Sequence, residues 1–209
     1  SFSILNQSKN QWEFGFKQIT QSHNVSAPLP FLKYNYLLSK NIRFETQVSI
    51  NQRMPSLNEL FWNPGGNLSL QPETNYNFNQ KIQYQNSRIT ADVSVFYNHI
   101  QDGIRWLPSA NASIWSPQNI NIINNMGLNL DFDGILIHKK ALQVQFIQSF
   151  LYLRSIWNQE YEQIYTPRFK SITQVNCSYK KWKFSTHANY TSTRYTLTDN
   201  TQLLPQYLT

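Results

Sequence analysis

No run of about 18 apolar residues occurs in this 209-residue chain, so it contains no transmembrane helix. Cysteine is almost absent. The single Cys177 excludes an internal disulfide framework, and its place beside Val175 and Tyr179 on an apolar strand face reads as a small buried hydrophobe. Charge is scarce as well: 14% of residues, against about 25% in ordinary globular chains. The opening SFSILNQSKN has neither a basic n-region nor an apolar core, so it is no signal peptide. Catalytic and metal signatures are missing too. His23, His99, His138 and His187 are scattered without metal-ligand spacing, and no H-E-x-x-H, G-x-S-x-G or Walker loop is found. The paired Asp131 and Asp133 read as lumen solvation or a docking point for another segment. The expectation is therefore no enzyme, no cofactor and no metal.

What the chain has instead is amides and aromatics. Asn and Gln supply its polarity, and Phe, Trp and Tyr make up 15% of it. That mixture suits a β-barrel with a wet lumen and an aromatic-girdled exterior. The apolar alternation argues against a disordered Asn-rich segment. Ile42, Phe44, Thr46, Val48 and Ile50 alternate with Arg43, Glu45, Gln47, Ser49 and Asn51, and Tyr76, Phe78, Ile82 and Tyr84 do the same downstream. A period of two with one apolar and one wet face is a half-buried antiparallel strand. Further strands are expected over Trp12–Ile19, Phe31–Leu38, Arg88–Asn98, Asn119–Ile137, Leu142–Tyr152, Ser171–Lys180 and Trp182–Thr191, with a last one beginning at Leu203.

The connections alternate in length. Ser39–Asn41, Asn86–Ser87, His138–Lys140 and Lys180–Lys181 are tight; Arg53–Thr74, Gly103–Gln118, Arg154–Arg168 and Thr193–Gln202 are long. In a meander all tight turns fall at one end and all long loops at the other, the pattern of outer-membrane barrels. The wet face would line the lumen and the apolar face would meet lipid. About ten strands with neither end finished imply part of a larger barrel, because open edges are not tolerated in lipid. An outer-membrane protein needs a signal peptide, so the chain is expected to be mature or truncated. The net charge of +7 does not read as nucleic-acid binding, since the basic residues form no single patch along the sequence: they sit at turns or alternate inward, as at Arg43, Lys81, Arg88 and Lys183.

The long connection RMPSLNELFWNPGGNLSLQPE, Arg53–Glu73, resembles the R-x-P-S-x-x-E-L…G-N…L-x-P-E segment of TonB-dependent outer-membrane receptors, and is most similar to the vitamin B12 and siderophore branch. Phe96–Ile104 resembles that family's F-Y-x-x-I-x-D-x-I strand end, Asn125-Met126-Gly127 its N-x-G element, and Thr191–Tyr195 with Leu204-Pro205 the segment before its last three strands. The resemblance implies an all-β, antiparallel transmembrane β-barrel of 22 strands with a plugged lumen. Residues 1–209 would supply a partial barrel domain, without plug, early strands or last strands. It further implies TonB-energised uptake of a scarce large solute, cobalamin or an iron chelate, across the outer membrane of a Gram-negative bacterium. Partners would be outer-membrane lipid, the plug of the same full-length chain, and the TonB complex through a missing N-terminal part. A passive porin-like channel and a secretion- or adhesion-associated barrel are the alternatives. Arg53, Pro55, Glu59, Gly65, Gly66, Asn67, Pro72 and Glu73 carry the motif and are expected to brace the loop, with Gly65-Gly66 permitting a sharp reversal. Ligand contacts are expected from exposed aromatics and charges on the long loops: Phe61, Trp62, Arg105, Trp106, Trp115, Trp157, Tyr161, Tyr165 and Arg168.

Overall fold

The architecture is taken from a computed structural model that describes residues 2–3, 9–21, 24–108, 114–158 and 160–209. In chain order the elements are β1 (Phe2–Ser3), β2 (Asn10–Lys17), β3 (Thr20–Gln21), β4 (Asn24–Val25), β5 (Leu29–Leu37), β6 (Ile42–Arg53), α1 (Leu57–Phe61), β7 (Glu73–Gln85) and β8 (Ile89–Pro108). There follow β9 (Trp115–Lys139), β10 (Leu142–Trp157), β11 (Tyr161–Glu162), β12 (Phe169–Tyr179), β13 (Trp182–Thr191), β14 (Arg194–Tyr195), β15 (Leu203–Leu204) and β16 (Tyr207–Leu208). One antiparallel sheet runs β1-β2-β5-β6-β7-β8-β9-β10-β12-β13-β16, with β11 folded back on β10. β3–β4 and β14–β15 are separate small pairs. Among the described residues β1 and β16 do not pair with each other, so the sheet is a curved wall, a partial barrel.

Registers sort the two faces cleanly. One row across five strands reads Phe44, Ile82, Val93, Leu130, Phe150; a row on the other face reads Ser49, Asn77, Asn98, Asn125, Ser155. The apolar row is left open: Ile82 is 41% exposed and Val93 43%. On the polar face side chains bond sideways to their neighbours. Lys33 pairs with Glu45 at 2.9 Å and Lys81 with Asp92 at 3.1 Å. Asp131 accepts from the Ser149 hydroxyl and Asp133 from the Gln145 amide at 2.6 Å, so both carboxylates have partners within the sheet itself. An open apolar face backed by an internally bonded polar face is the two-sided pattern of a β-barrel wall with a wet lumen.

Three strand readings need correction. Within the expected loop Gly103–Gln118, residues 103–108 and 115–118 are strand: β8 and β9 stay paired from Gly103↔Ile120 to Pro108↔Trp115, so this hairpin overshoots the wall. β8 has 20 residues, roughly 66 Å at about 3.3 Å each, where a membrane strand needs only about 9–11. Likewise β10 runs on to Trp157. The last strand from Leu203 is split. Leu203–Leu204 turns back onto Arg194–Tyr195, and only Tyr207–Leu208 joins the wall beside Tyr190 and Thr191. The tight turns stand where expected, with small shifts such as Lys140–Ala141 between β9 and β10. The packed core also sits at the loop end: Ile100, Ile120, Ile123 and Trp157, with Leu107 against them.

Candidate functional site

The loop end carries the chemistry, and its first structured piece is α1, which the Pro- and Gly-rich composition of 54–72 concealed. Ser56 caps it: the Ser56 hydroxyl accepts from the Glu59 amide at 3.2 Å, and the Glu59 carboxylate accepts from the Ser56 amide at 2.7 Å. This reciprocal capping box satisfies two otherwise orphaned donors, and its S-x-x-E spacing is legible in the sequence. Burial pushes the Glu59 carboxyl up, but the Ser56 amide and the Arg53 guanidinium outweigh it and hold it below the usual carboxylate range.

Arg53 is the hub beneath the helix. Its Nη1 donates to both Glu59 oxygens at 3.1 and 3.0 Å, and its Nη2 to Glu73 Oε2 at 3.3 Å. The same Glu73 oxygen accepts from the Ile104 amide at 3.0 Å and from Arg105 Nη1 at 3.4 Å. Two arginines and two glutamates thus tie the end of β6, α1 and the start of β7 to β8.

The loop is then laid onto the β8–β9 hairpin. Asn67 Nδ2 donates to the Pro117 carbonyl at 3.0 Å. Asn119 grips the loop from the other side: its Oδ1 accepts from the Gln71 amide at 2.8 Å, and its Nδ2 donates to the Gln71 and Asp102 carbonyls at 3.0 and 2.6 Å. Trp62 meets Trp106 edge to face with centroids 5.5 Å apart. Gly65 and Gly66 have ordinary negative φ, so backbone handedness is not why glycine stands there. A Cβ on Gly65 would lie 2.2 Å from the Trp115 carbonyl oxygen, and one on Gly66 2.7 Å from the Leu60 carbonyl oxygen and the Trp62 amide nitrogen. The chain does reverse here, through a turn over 63–65 closed by the Gly66 amide on the Trp62 carbonyl, and it is the close approach of backbones that leaves no room for a Cβ.

A second interlock follows along the rim. Asn200 Oδ1 accepts from the Glu162 amide at 2.6 Å while its Nδ2 donates to the Glu162 carbonyl at 2.9 Å. The Tyr165 amide donates to the Tyr195 carbonyl at 2.7 Å. Arg168 makes a two-pronged pair with the Glu162 carboxylate, Nε to Oε2 at 2.8 Å, which raises the arginine pKa further. Asn119 and Asn200 went unnoticed in sequence. An asparagine in an Asn-rich chain carries no local signal that it will clamp a distant backbone.

The candidate contacts fall into three groups. Phe61, Trp62, Trp115, Tyr161 and Tyr165 are exposed. Arg105 and Arg168 are engaged by Glu73 and Glu162. Trp106 is half-buried, and Trp157, expected at an exposed tip, is buried at the end of β10 with only 6% of its surface accessible. A cleft of about 470 Å³ lies between the hairpin and the following loops, lined by Leu107, Ile120, Trp157, Tyr161, Glu160 and Asp199 among others; no lysine or arginine lines it. Hydrogen bonds from the Thr201 hydroxyl and amide hold the Asp199 carboxyl below its ordinary range. Of the histidines, His23 lies outside the described residues. Among the described residues no group of three or more His, Cys, Asp or Glu can hold a metal ion.

The family model described as TonB dependent receptor-like, beta-barrel, matches residues 6–209. The vitamin B12 transporter BtuB of Photobacterium profundum is 26% identical over 189 residues, which is 80% of this chain and 28% of that protein. BtuB of Vibrio vulnificus is 27% identical over 108 residues, 50% of this chain and 18% of that one. Among solved structures, the copper transporter OprC superposes with a TM-score of 0.77 at 12% identity, over 99% of this chain and 37% of that one. The ferric preacinetobactin receptor BauA from Acinetobacter baumannii gives 0.71 at 15% identity, over 97% and 33%. At such identities the structures speak for the fold alone, and the chain spans only about a third of the length of each of those chains.

Proposed function

Because the chain belongs to the TonB-dependent receptor β-barrel family, we propose that it forms part of the wall of an outer-membrane receptor that captures a scarce, large solute and imports it with TonB-derived energy. In this reading residues 1–209 are a segment of the barrel domain. The plug, the remaining strands and the TonB-contacting segment belong to the rest of a longer polypeptide. The apolar face meets outer-membrane lipid, the Asn/Ser face lines the lumen, and the interlocked loops face the outside of a Gram-negative cell.

The charge state of the loop end supports a corrinoid over a polyanionic iron chelate. Arg53, Arg105 and Arg168 are each held by a glutamate, and the cleft beside Trp157 and Tyr161 carries Glu160 and Asp199 with no cation. A polyanionic chelate would meet carboxylates in that cleft and would find Arg53, Arg105 and Arg168 already paired, with Lys170 and Arg194 left as cations of this end that have no carboxylate partner among the described residues. A neutral, amide-rimmed ring system needs only aromatic area and hydrogen-bonding groups. The relatives matched along the chain, both vitamin B12 transporters, support the same choice. The motif residues from Arg53 to Glu73 brace the loop, while Phe61, Trp62, Trp115, Tyr161 and Tyr165 supply contact surface.

The test is binding of cobalamin and of ferric siderophores to the full-length receptor, followed by uptake in cells with and without TonB. Cobalamin binding with TonB-dependent uptake is the expected result. Preference for a ferric chelate refutes the corrinoid reading, and uptake that persists without TonB refutes energised transport.

A further inference from the structure

The basic residues that look scattered along the sequence gather at one rim in three dimensions. Lys40, Lys139, Lys140, Lys180 and Lys181 stand at the tips of three hairpins, and Arg88 at a fourth. Arg43 and Lys183 follow within two residues of a strand end. None of these tips carries an Asp or Glu, and among the described residues none of these cations has a carboxylate within ion-pair distance. The loop end differs, for Arg53, Arg105 and Arg168 are neutralised there by Glu59, Glu73 and Glu162, and the unpaired Lys17, Arg154, Lys170 and Arg194 share that end with Asp102, Glu160 and Asp199. The excess positive charge of the chain is therefore concentrated on the short-turn rim, where the linear sequence reading had denied a patch.

The tip conformations make this charge harder to dismiss as solubilising decoration. Lys140 and Lys180 have φ of 38° and 52°, the left-handed region that hairpin tips reserve for Gly or Asn. Lysine at such a site costs conformational energy that Gly or Asn would not. Next to these tips stands an aromatic band on the apolar face. Tyr179 is 50% and Trp182 71% exposed, with Lys180 Nζ 5.5 Å from the Tyr179 ring centre and Lys181 Nζ 5.8 Å from that of Trp182. Tyr84 and the Tyr36–Phe44 pair continue the band towards β5. Aromatic rings capped by unpaired ammonium groups match the two layers of a membrane boundary, the acyl–glycerol zone and the phosphate zone above it.

We propose that this rim is a docking surface for anionic phospholipid headgroups, with Lys139, Lys140, Lys180 and Lys181 engaging lipid phosphates and Tyr179 and Trp182 seated just below them. The proposal rests on the outer-membrane reading, in which the short turns lie at the inner leaflet. Its partner is a phosphatidylglycerol-type lipid rather than an acidic protein, because Lys180 and Lys181 cap lipid-facing aromatics and Lys139 and Lys140 stand at the neighbouring tip, whereas Arg43 and Lys183 lie on the wet face and take no part in the site.

The experiment uses the receptor that carries this chain, purified at full length and equilibrated with equimolar phosphatidylglycerol and phosphatidylcholine, with retained lipid counted by native mass spectrometry. Wild type should retain phosphatidylglycerol preferentially. The combined variant Lys139→Ser, Lys140→Ser, Lys180→Ser, Lys181→Ser should lose that preference by roughly tenfold, and four arginines at the same positions should keep it. Raising the salt should weaken retention in wild type and leave the serine variant unchanged. Unaltered solute binding by the serine variant would certify its fold. Equal preference in wild type and the serine variant overturns the proposal, as does lysine-dependent capture of an acidic polypeptide in place of lipid. Fractionation of the producing cells reports separately on the outer-membrane reading, so the two failures are distinguishable.

Discussion

Replacing Glu73 tests whether the loop end is held as one body. Its side chain is 13% exposed, and a single oxygen serves three donors: the Ile104 amide at 3.0 Å, Arg53 at 3.3 Å and Arg105 at 3.4 Å. Ile104 is itself only 3% exposed, so its amide finds no ready water when the carboxylate goes. A hydrogen bond to a charged acceptor is worth about 1.5–3 kcal/mol, and most of that is lost in Glu73→Ala. Arg53 adds little, because it is 43% exposed and keeps Glu59. Arg105 is 24% exposed and, among the described residues, keeps the Ile104 carbonyl at 2.7 Å but no other carboxylate, so its share is larger. Together the change should cost about 2–4 kcal/mol of local stability. Glu73→Gln keeps an acceptor for the Ile104 amide and should cost about half as much. Hydrogen exchange of the full-length receptor reads this directly. Amides of 54–72 and 102–108 should exchange about 30- to 1,000-fold faster in Glu73→Ala, with the short-turn hairpins unchanged. Equal effects of Ala and Gln, or acceleration spread over the whole wall, would refute the reasoning.

Three further outcomes follow from the same end of the molecule. Gly65→Ala drives a Cβ against the Trp115 backbone carbonyl, which cannot swing away as a side-chain tip can. The loop should lift off the hairpin at a cost of about 1–3 kcal/mol, seen as new protease cleavage within 54–72. Glu59 has a depressed folded-state pKa, so its contribution is complete above the ordinary glutamate value near about 4.3 and is lost as pH falls through the lower folded value. The exchange difference between wild type and Glu59→Gln should therefore be constant at neutral pH and fade only as pH falls through the lowered folded-state value, below the ordinary glutamate range. Trp157 packs with Ile100, Ile120 and Ile123, but its indole nitrogen has no partner among the described residues. Trp157→Phe should be nearly neutral in thermal unfolding, whereas Trp157→Ala should cost about 3–5 kcal/mol.

The wall was legible because one open apolar face and one internally bonded polar face impose a two-residue period on its strands. Ile42–Arg53 and Trp182–Thr191 declare their faces residue by residue, and their register partners agree. Beyond the wall that constraint ends. Where β8 and β9 overshoot the wall, Pro117 is buried and Asn119 clamps a loop, so alternation loses its meaning, and Gly103–Gln118 reads as a loop although its described parts, 103–108 and 115–118, are paired strand. The helix at Leu57–Phe61 was hidden for a different reason. Its capping box was present, but the surrounding Pro, Gly and Asn spoke louder than one S-x-x-E spacing. Arg105 and Arg168 read as free ligand contacts because their neutralising glutamates are identified only by the fold. Glu73 lies 32 residues from Arg105 in sequence, and Glu162, only six from Arg168, is brought to it by a turn that the composition does not specify.

The distribution of bonds constrains how a solute can be felt. The middle of the wall is paired strand to strand and contributes no enclosed core among the described residues; the packed cluster lies at the loop end. Loop 54–72 cannot move alone, since Asn119 holds it by two hydrogen bonds and Arg53 and Glu73 anchor its base. The segment after β10 is fastened in turn by Asn200 and by the Tyr165–Tyr195 link. A solute that bears on Trp62 or Tyr161 therefore loads a connected rim rather than a hinge. Small displacements at the aromatics must either be shared along that rim or break a named clamp. Asn119→Ala and Asn200→Ala distinguish these cases. If the rim acts as one body, each should weaken solute binding although neither side chain lines the cleft beside Trp157. Unchanged affinity in both would mean that the loops read the solute independently.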